Sequence, residues 1–318
     1  MTTAPAVEAS GLVLKYGDFE AVRGVDIAVA PGEVFAFLGP NGAGKTSTVE
    51  VLEGFRSPSQ GHVRVLGLNP YTQGRQLRSR IGVVLQEGGL FPEMTVRETV
   101  HAWRRFYPQA IDTDVALARV DLAGRANVRV KDLSGGEKRR LDLALGTLHT
   151  PEVLFLDEPT TGFDPGARRH AWDLIRSMAS GGTTIFLTTH YLEEAEVLAD
   201  RVAVISGGRI IASGTPESLR TAQGVGVVSF RLPAGTNIED LPDAARATTE
   251  VDGNVVTVSA QELTAMTHTI TGWAVNRGIE LDGLNVHHPS LEDVYLQLVS
   301  SDADAASSTP GVTPGHTP

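Results

Sequence analysis

The stretch Gly39-Pro40-Asn41-Gly42-Ala43-Gly44-Lys45-Thr46-Ser47 has the makings of a seat for phosphate. Glycines at 39, 42 and 44 let backbone N–H groups turn inward around an anion, and a helix starting where the loop ends adds its partial positive charge. Lys45 is placed to reach the outer phosphates, and the Thr46 hydroxyl suits Mg²⁺. An apolar run, Val34 to Leu38, comes before the loop and a helical pattern after it, so strand, loop and helix agree on a nucleotide.

The run VLFLDEP adds an acidic pair, Asp157 and Glu158, at the end of an apolar strand, the sheet edge where ligands of doubly wound folds sit. Asp157 can hold the Mg²⁺ shell, and Glu158 can take a proton from water attacking the terminal phosphate. Alone, such a pair is often a surface turn; a phosphate loop in the same chain favours the chemical reading. LSGGE, Leu133 to Glu137, is a second glycine-rich helix start. Ser134 with Glu137 three residues on fits a capping box, and Leu141, Leu145 and Leu148 supply an apolar stripe, so a well-started core helix explains much of it. It does not explain Gly135 and Gly136. Two glycines in a first helical turn cost about 1 kcal/mol each relative to Ala, which makes sense if another molecule's phosphates must approach bare backbone.

The elements that must position these residues alternate, from Gly11 to about Gly214, between short apolar runs and helical stretches, the pattern of a mostly parallel sheet covered by helices. Strands are expected at Val34–Leu38, Ile81–Leu85, Val153–Leu156, Thr184–Thr188 and Val202–Ile205. Several are apolar at consecutive positions, as suits a sheet covered on both faces. Between Glu87 and Thr150 the pattern turns helical (Thr95 to Phe106, Asp114 to Leu122, Ser134 to Leu148), an inserted helical subdomain. The expected organisation is an N-terminal extension over 1–10, a nucleotide-binding domain over 11–223 with the helical subdomain at about 87–150, a small α+β domain over 224–300, and a disordered tail over 301–318. In the small domain, strands at Val227–Leu232, Ala247–Val251 and Asn254–Val258 precede a helix from Gln261 to Asn276, a strand from Ile279 to Val286 and a helix from Ser290 to Val299. Asp252-Gly253 is a hairpin signal. His287 and His288 are adjacent, so on a strand they face opposite ways and read as structural.

With 318 residues, 41% hydrophobic and 20% charged, the chain is expected to form cores. No apolar run approaches the ~18 residues of a membrane span, and the N-terminus lacks the features of a signal peptide, so a cytosolic location is expected. The absence of cysteine removes disulfides and thiolate metal sites. A formal charge of -11 argues against a nucleic-acid coat or an anionic membrane surface as partner.

GPNGAGKT, VLQEGGLFPEMTVRE, LSGGE, LFLDEPTTGFDP and TTHYLEEAE, taken together and in this order, resemble the ATP-binding cassette family from Leu12 to Thr215. The resemblance implies ATP and Mg²⁺ as cofactors, and a head-to-tail dimer in which LSGG of one copy meets the ATP of the other. It implies an adenine-stacking role for Tyr16, phosphate contacts from residues 39–47, and Mg²⁺ held by Thr46, Gln86 and Asp157. Catalytic roles fall to Glu158, His190 and Gln86; Ser134, Gly135, Gly136, Glu137 and Asp164 would serve the dimer's shared site. Two positions depart from the usual pattern, Glu137 where Gln is common and Phe163 where Leu is common. The end of the chain, HHPSLEDVYLQLV, is similar to ATPases of ABC-2 type exporters of the daunorubicin-resistance-like branch. That implies an ATP-hydrolysing subunit exporting a hydrophobic small molecule through a separate multi-spanning permease, docked near Gln86 to Val96, at the cytoplasmic face of the membrane. The cargo would touch the permease rather than this chain. A P-loop kinase gives LSGGE no role; a soluble ATPase acting on nucleic acid or ribosomes fits poorly with the charge; a lipid or polysaccharide precursor is the other cargo class.

Overall fold

The computed structural model describes residues 4–85, 89–222, 226–232, 235–287, 290–296, 298 and 299. Contacts divide the chain into one unit running to Pro216 and a second from Glu217 to Gln297.

In the first unit the strands are β1 (Val7–Tyr16), β2 (Phe19–Val29), β3 (Val34–Leu38), β4 (Gln60–Val65), β5 (Ile81–Val84), β6 (Val153–Asp157), β7 (Thr184–Thr189), β8 (Arg201–Ser206) and β9 (Arg209–Gly214). The helices are α1 (Lys45–Leu52), α2 (Gly74–Leu77), α3 (Val96–Arg104), α4 (Thr113–Arg119), α5 (Gly135–Gly146), α6 (Pro165–Ser180) and α7 (Leu192–Leu198), with α8 (Pro216–Ala222) at the division. Six strands form one sheet in the order β5-β6-β7-β3-β8-β9, parallel from β5 to β8 and closed by antiparallel β9. Every position of β3, β6 and β7 is buried, because both faces are covered. Phe35, Phe37, Phe155 and Phe186 pack on one side with Val49 and Leu52 of α1, and Leu154, Leu156, Ile185 and Leu187 pack on the other with α3, α4, α5 and α6.

A second sheet, antiparallel β2-β1-β4, covers the first face. Residues 7–10, which the sequence reading leaves in an N-terminal extension, begin β1 and pair with β2 and β4. The signal is obscured by Gly11, at φ +55°, where the register of both pairings shifts and the two-residue alternation breaks.

Thr95 and Ser134 cap α3 and α5 through reciprocal boxes: each hydroxyl accepts from the backbone of Glu98 or Glu137 at 3.2 Å, and each carboxylate accepts from the capping N–H at 2.8 Å. At the C-terminal end of α1, Glu53 is 7% exposed and neither of its carboxylate oxygens has a hydrogen-bond partner. Burial, reinforced by the charges of Asp157 and Glu50, pushes its pKa from 4.5 to about 8. The folded protein therefore holds a proton that the unfolded chain releases above pH 4.5, so this group destabilises the fold increasingly from about pH 4.5 to about pH 8. Glu53→Gln is expected to flatten that loss, gaining a few kcal/mol at pH 8, at most about 5, and little at pH 4.5. Thermal melts at the two pH values check it, and equal gains at both would contradict it.

The second unit carries β10 (Gly226–Arg231), α9 (Asp243–Arg246), β11 (Thr249–Asp252), β12 (Val255–Ala260), α10 (Leu263–Asn276) and β13 (Asn285–His287). Its antiparallel sheet runs β11-β12-β10-β13, and Val228, Phe230, Val256 and Val258 face Ile270 of α10. The Asp252-Gly253 hairpin forms as expected, with Gly253 at φ +61°. The strand expected over Ile279–Val286 shrinks to β13 because Asp282-Gly283 makes a turn, with Gly283 at φ +66°. Residues 291–296 are helical after a cap in which Ser290 Oγ accepts from the Asp293 N–H at 3.2 Å. His287 pairs with Val227, while His288 lies outside the described residues.

Candidate functional site

Register brings the chemistry to one edge. β7 lies between β6 and β3, with Asp157 opposite Thr188 and Leu38 opposite Thr189, so residues 39–47, the Asp157-Glu158 pair and His190 leave the sheet side by side. The loop before α1 depends on its glycines: a Cβ on Gly39 would lie 2.3 Å from the Ile205 carbonyl oxygen, and one on Gly44, at φ +106°, 2.5 Å from that of Ala21. Lys45 is buried across this loop, its Nζ donating to the carbonyls of Gly39 at 2.7 Å and Pro40 at 3.2 Å. Burial lowers its pKa, against the opposing pull of the Glu158 and Asp157 carboxylates.

A cavity of about 230 Å³ is lined by Asn41, Gly42, Gly44, Lys45, Thr46 and Ser47 together with Tyr16, Phe19, Ala21 and Glu158. Tyr16 offers an exposed ring; its hydroxyl lies 3.2 Å from Ser47 Oγ and donates to Glu50 Oε2 at 3.2 Å, and the Arg56 guanidinium sits 4.9 Å from the ring centroid. Phe19, 60% exposed in the same cavity, is a second aromatic that the sequence reading missed because no motif marks it.

The Asp157 carboxylate is buried and accepts from the Thr188 hydroxyl. Burial holds its pKa above the ordinary range, the Thr188 bond opposes this, and the Glu158 charge adds to it. Glu158 is one of three non-glycine residues with positive φ among the described residues, at +49°. Its N–H donates to the Thr188 carbonyl at 3.0 Å; its Oε1 lies 3.2 Å from His190 Nδ1 and its Oε2 accepts from the Thr161 hydroxyl at 3.4 Å. Strain of this kind, held in place by several contacts, is a mark of functional positions. For a divalent cation the oxygen donors here are the exposed Thr46 hydroxyl and the buried Asp157 carboxylate, a hard-oxygen set suited to Mg²⁺, and a cation would relieve the cost of burying Asp157. Gln86 lies outside the described residues.

Ser134 to Glu137 line a different cavity, of about 890 Å³, where Ser134 to Arg140 face Thr161 to Asp164; Glu158 lines both cavities. The chain thus does not bring Ser134, Gly135, Gly136 or Glu137 into the wall of its own phosphate-loop cavity. Gly135 opens on free space, whereas a Cβ on Gly136 would come 3.1 Å from the Gly162 carbonyl oxygen, a tight approach that asks the Gly162 backbone to give by a few tenths of an ångström. Glu137 completes the cap of α5 and pairs with Arg125 at 2.7 Å. Asp164 caps α6, its Oδ1 accepting from Gly166 and Ala167 at 2.9 Å each, which holds its carboxyl below the usual range. Sequence reasoning also missed Arg139, whose guanidinium meets the carbonyls that end β5 and β6, and Glu194, which accepts from the Thr160 hydroxyl at 3.0 Å and Trp172 Nε1 at 3.1 Å and so fixes the segment after Glu158 to α6.

A parallel sheet that delivers a glycine phosphate loop, an acidic strand end and a polar residue from three adjacent strands defines a P-loop nucleoside triphosphatase. The ABC transporter family profile matches residues 22–161, and the profile for the C-terminal domain of ABC transporter domain-containing-like proteins matches residues 226–290. A daunorubicin resistance ATP-binding protein of Streptomyces coeruleorubidus is 37% identical over 93% of this chain and 96% of its own length. A Nod factor export ATP-binding protein I of Burkholderia orbicola is 37% identical over 95% of this chain and 99% of its own. Among solved structures, the ATP-binding subunit of an ABC transporter superposes with a TM-score of 0.64 at 25% identity, covering 69% of this chain and 93% of that one. A subunit of the cbiONQ ABC transporter complex from Clostridium perfringens gives 0.60 at 28% identity, over 70% and 92%. The chain belongs to the ABC transporter family, as an ATP-binding and ATP-hydrolysing cassette.

Proposed function

We propose that this cassette drives export through a separate ABC-2 type permease at the cytoplasmic face of the membrane. The supporting observation is the reach of its kinship: a daunorubicin resistance ATP-binding protein and a Nod factor export ATP-binding protein match it over both units, at 93% and 95% of its length. In this reading the conduit is a second chain; among the described residues no helix is long and apolar enough to cross a membrane. A docking place for it is the segment reaching Val96, where exposed Phe91 and Phe106 meet Trp103 edge-on at 5.9 and 6.4 Å.

In this reading residues 39–47 grip the phosphates, Tyr16 stacks on adenine, and Thr46, Asp157 and Gln86 hold Mg²⁺, which would neutralise developing phosphate charge. Glu158 takes the proton of the attacking water, and His190, beside its Oε1, faces the terminal phosphate. Because Ser134, Gly135, Gly136 and Glu137 line a separate cavity, they serve the ATP of a second copy, in a pair where Asp164 lies near the shared site. Cassette closure, hydrolysis and reopening then reset the permease.

The assembly purified in mild detergent and placed in liposomes tests the task. Hydrophobic drugs are expected to raise ATP turnover and to move across the bilayer. Turnover indifferent to any membrane partner and raised by DNA or ribosomes would overturn the proposal. The Nod factor export relative, at the same 37% identity, is named for a cargo other than daunorubicin; the second cargo reading, a lipid or polysaccharide precursor, is separated from the first by transport assays with such compounds.

A further inference from the structure

Arg139 sits one helical turn beyond Gly135, on the α5 face turned into the protein, and is 6% exposed. Its guanidinium donates to the backbone carbonyls of Leu85 and Asp157, and to that of Glu158 at 2.9 Å. One side chain of the LSGGE helix therefore ties together the ends of β5 and β6. A planar fork of donors suits several carbonyls at different angles; the single ammonium of lysine does so less well. Glu158 is held from both sides, its N–H by the Thr188 carbonyl and its own carbonyl by Arg139, in a left-handed conformation that glutamate does not favour. The pinned backbone in turn aims the carboxylate at His190.

We propose that Arg139 is the positioning residue for Glu158, fixing the backbone conformation from which its carboxylate meets the attacking water and linking that conformation to the seat of the LSGGE helix. The proposal rests on the reading of Glu158 as the base. Movement of α5 when its N-terminal turn engages a partner's phosphates would then be felt at Glu158 through one guanidinium rather than through the whole subdomain. Nothing in the spacing of LSGGEKRR distinguishes Arg139 from Arg140, whose guanidinium instead meets the Asp121 carboxylate at 3.1 Å on the surface.

The test is a set of full-length variants, Arg139→Gln, Arg139→Lys, Glu158→Gln and the Arg139→Gln/Glu158→Gln double, assayed for ATP affinity, KM and kcat with the fold checked by melting. Misplacing a catalytic group by about 1 Å costs on the order of 10²-fold, so Arg139→Gln is expected to lower kcat by about 10- to 100-fold with KM for ATP within about twofold. Arg139→Lys should recover part of the loss. In the Glu158→Gln background, Arg139→Gln should cost nothing further, since residues that act as a unit are not additive. An additive loss in the double variant, a change in KM alone, unaltered kcat, or unfolding of both Arg139 variants would overturn the proposal, the last by making the residue structural only. Near-normal turnover by Glu158→Gln would instead remove the base assignment itself, a failure read from a different variant.

Discussion

Glu158→Gln is expected to cut ATP turnover by about 10²-fold or more, the usual contribution of a general base, while leaving ATP binding intact. The amide is nearly isosteric with the carboxylate, so the backbone at φ +49°, the N–H bond to Thr188 and the Arg139 contact to the carbonyl should all survive. What disappears is the ability to accept a proton. Binding should persist because, in the proposed reading, the loop at 39–47 grips the phosphates through backbone N–H groups and Lys45, none of which the substitution touches. Loss of the negative charge next to Asp157 also removes one of the causes that raise the Asp157 pKa, so Asp157 should ionise more readily in the variant. The check is single-turnover hydrolysis beside equilibrium binding of ATP. A variant that hydrolyses at near-normal speed would transfer the role elsewhere, with His190, 3.2 Å from the Glu158 carboxylate, as the neighbour to examine.

The sequence makes visible those parts of the site that are contiguous in the chain. Gly39, Gly44 and Lys45 can be picked out as a candidate cradle because strand, loop and helix are consecutive, and the strand end at Asp157 follows from an apolar run that stops at an acid. Legibility stops where a contact is made across elements. Arg139 looks like any charge on an amphipathic helix until β5 and β6 are placed beneath it, and Glu194 looks like surface acid until Trp172 and Thr160 close over it. Phe19 belongs to the cavity because β2 pairs with β1 opposite Tyr16, a register that the turn at Gly17 sets and no motif records. The antiparallel sheet as a whole escapes for a related reason. Its strands are long, bulged and half exposed, so periodicity alternates and then slips, as in β1 at Gly11, whereas the buried parallel strands announce themselves by unbroken apolar runs.

Ser134→Arg is expected to abolish hydrolysis, by about 10²-fold or more in keeping with loss of an electrostatic clamp on the transition state, without weakening ATP binding to the single chain. The geometry makes this separation sharp. Ser134 lines the cavity of about 890 Å³ and is absent from the wall of the phosphate-loop cavity, so an arginine there does not obstruct the chain's own nucleotide. It does fill the approach to Gly135, the one glycine of the pair whose Cβ direction is open. The substitution also removes the hydroxyl that accepts from the Glu137 N–H and sets a cation at a helix N-terminus, each costing about 1 kcal/mol, and Ser134→Ala controls for the lost cap. If the Ala variant keeps most of its turnover while the Arg variant loses it, obstruction rather than fraying is the cause. The proposed interface between two copies also demands that wild-type turnover per molecule rise with protein concentration, since a chain alone would then hold only half of each site. Full activity of Ser134→Arg, or turnover per molecule independent of dilution in a demonstrably monomeric sample, would leave the second glycine-rich helix start as a capping device and nothing more.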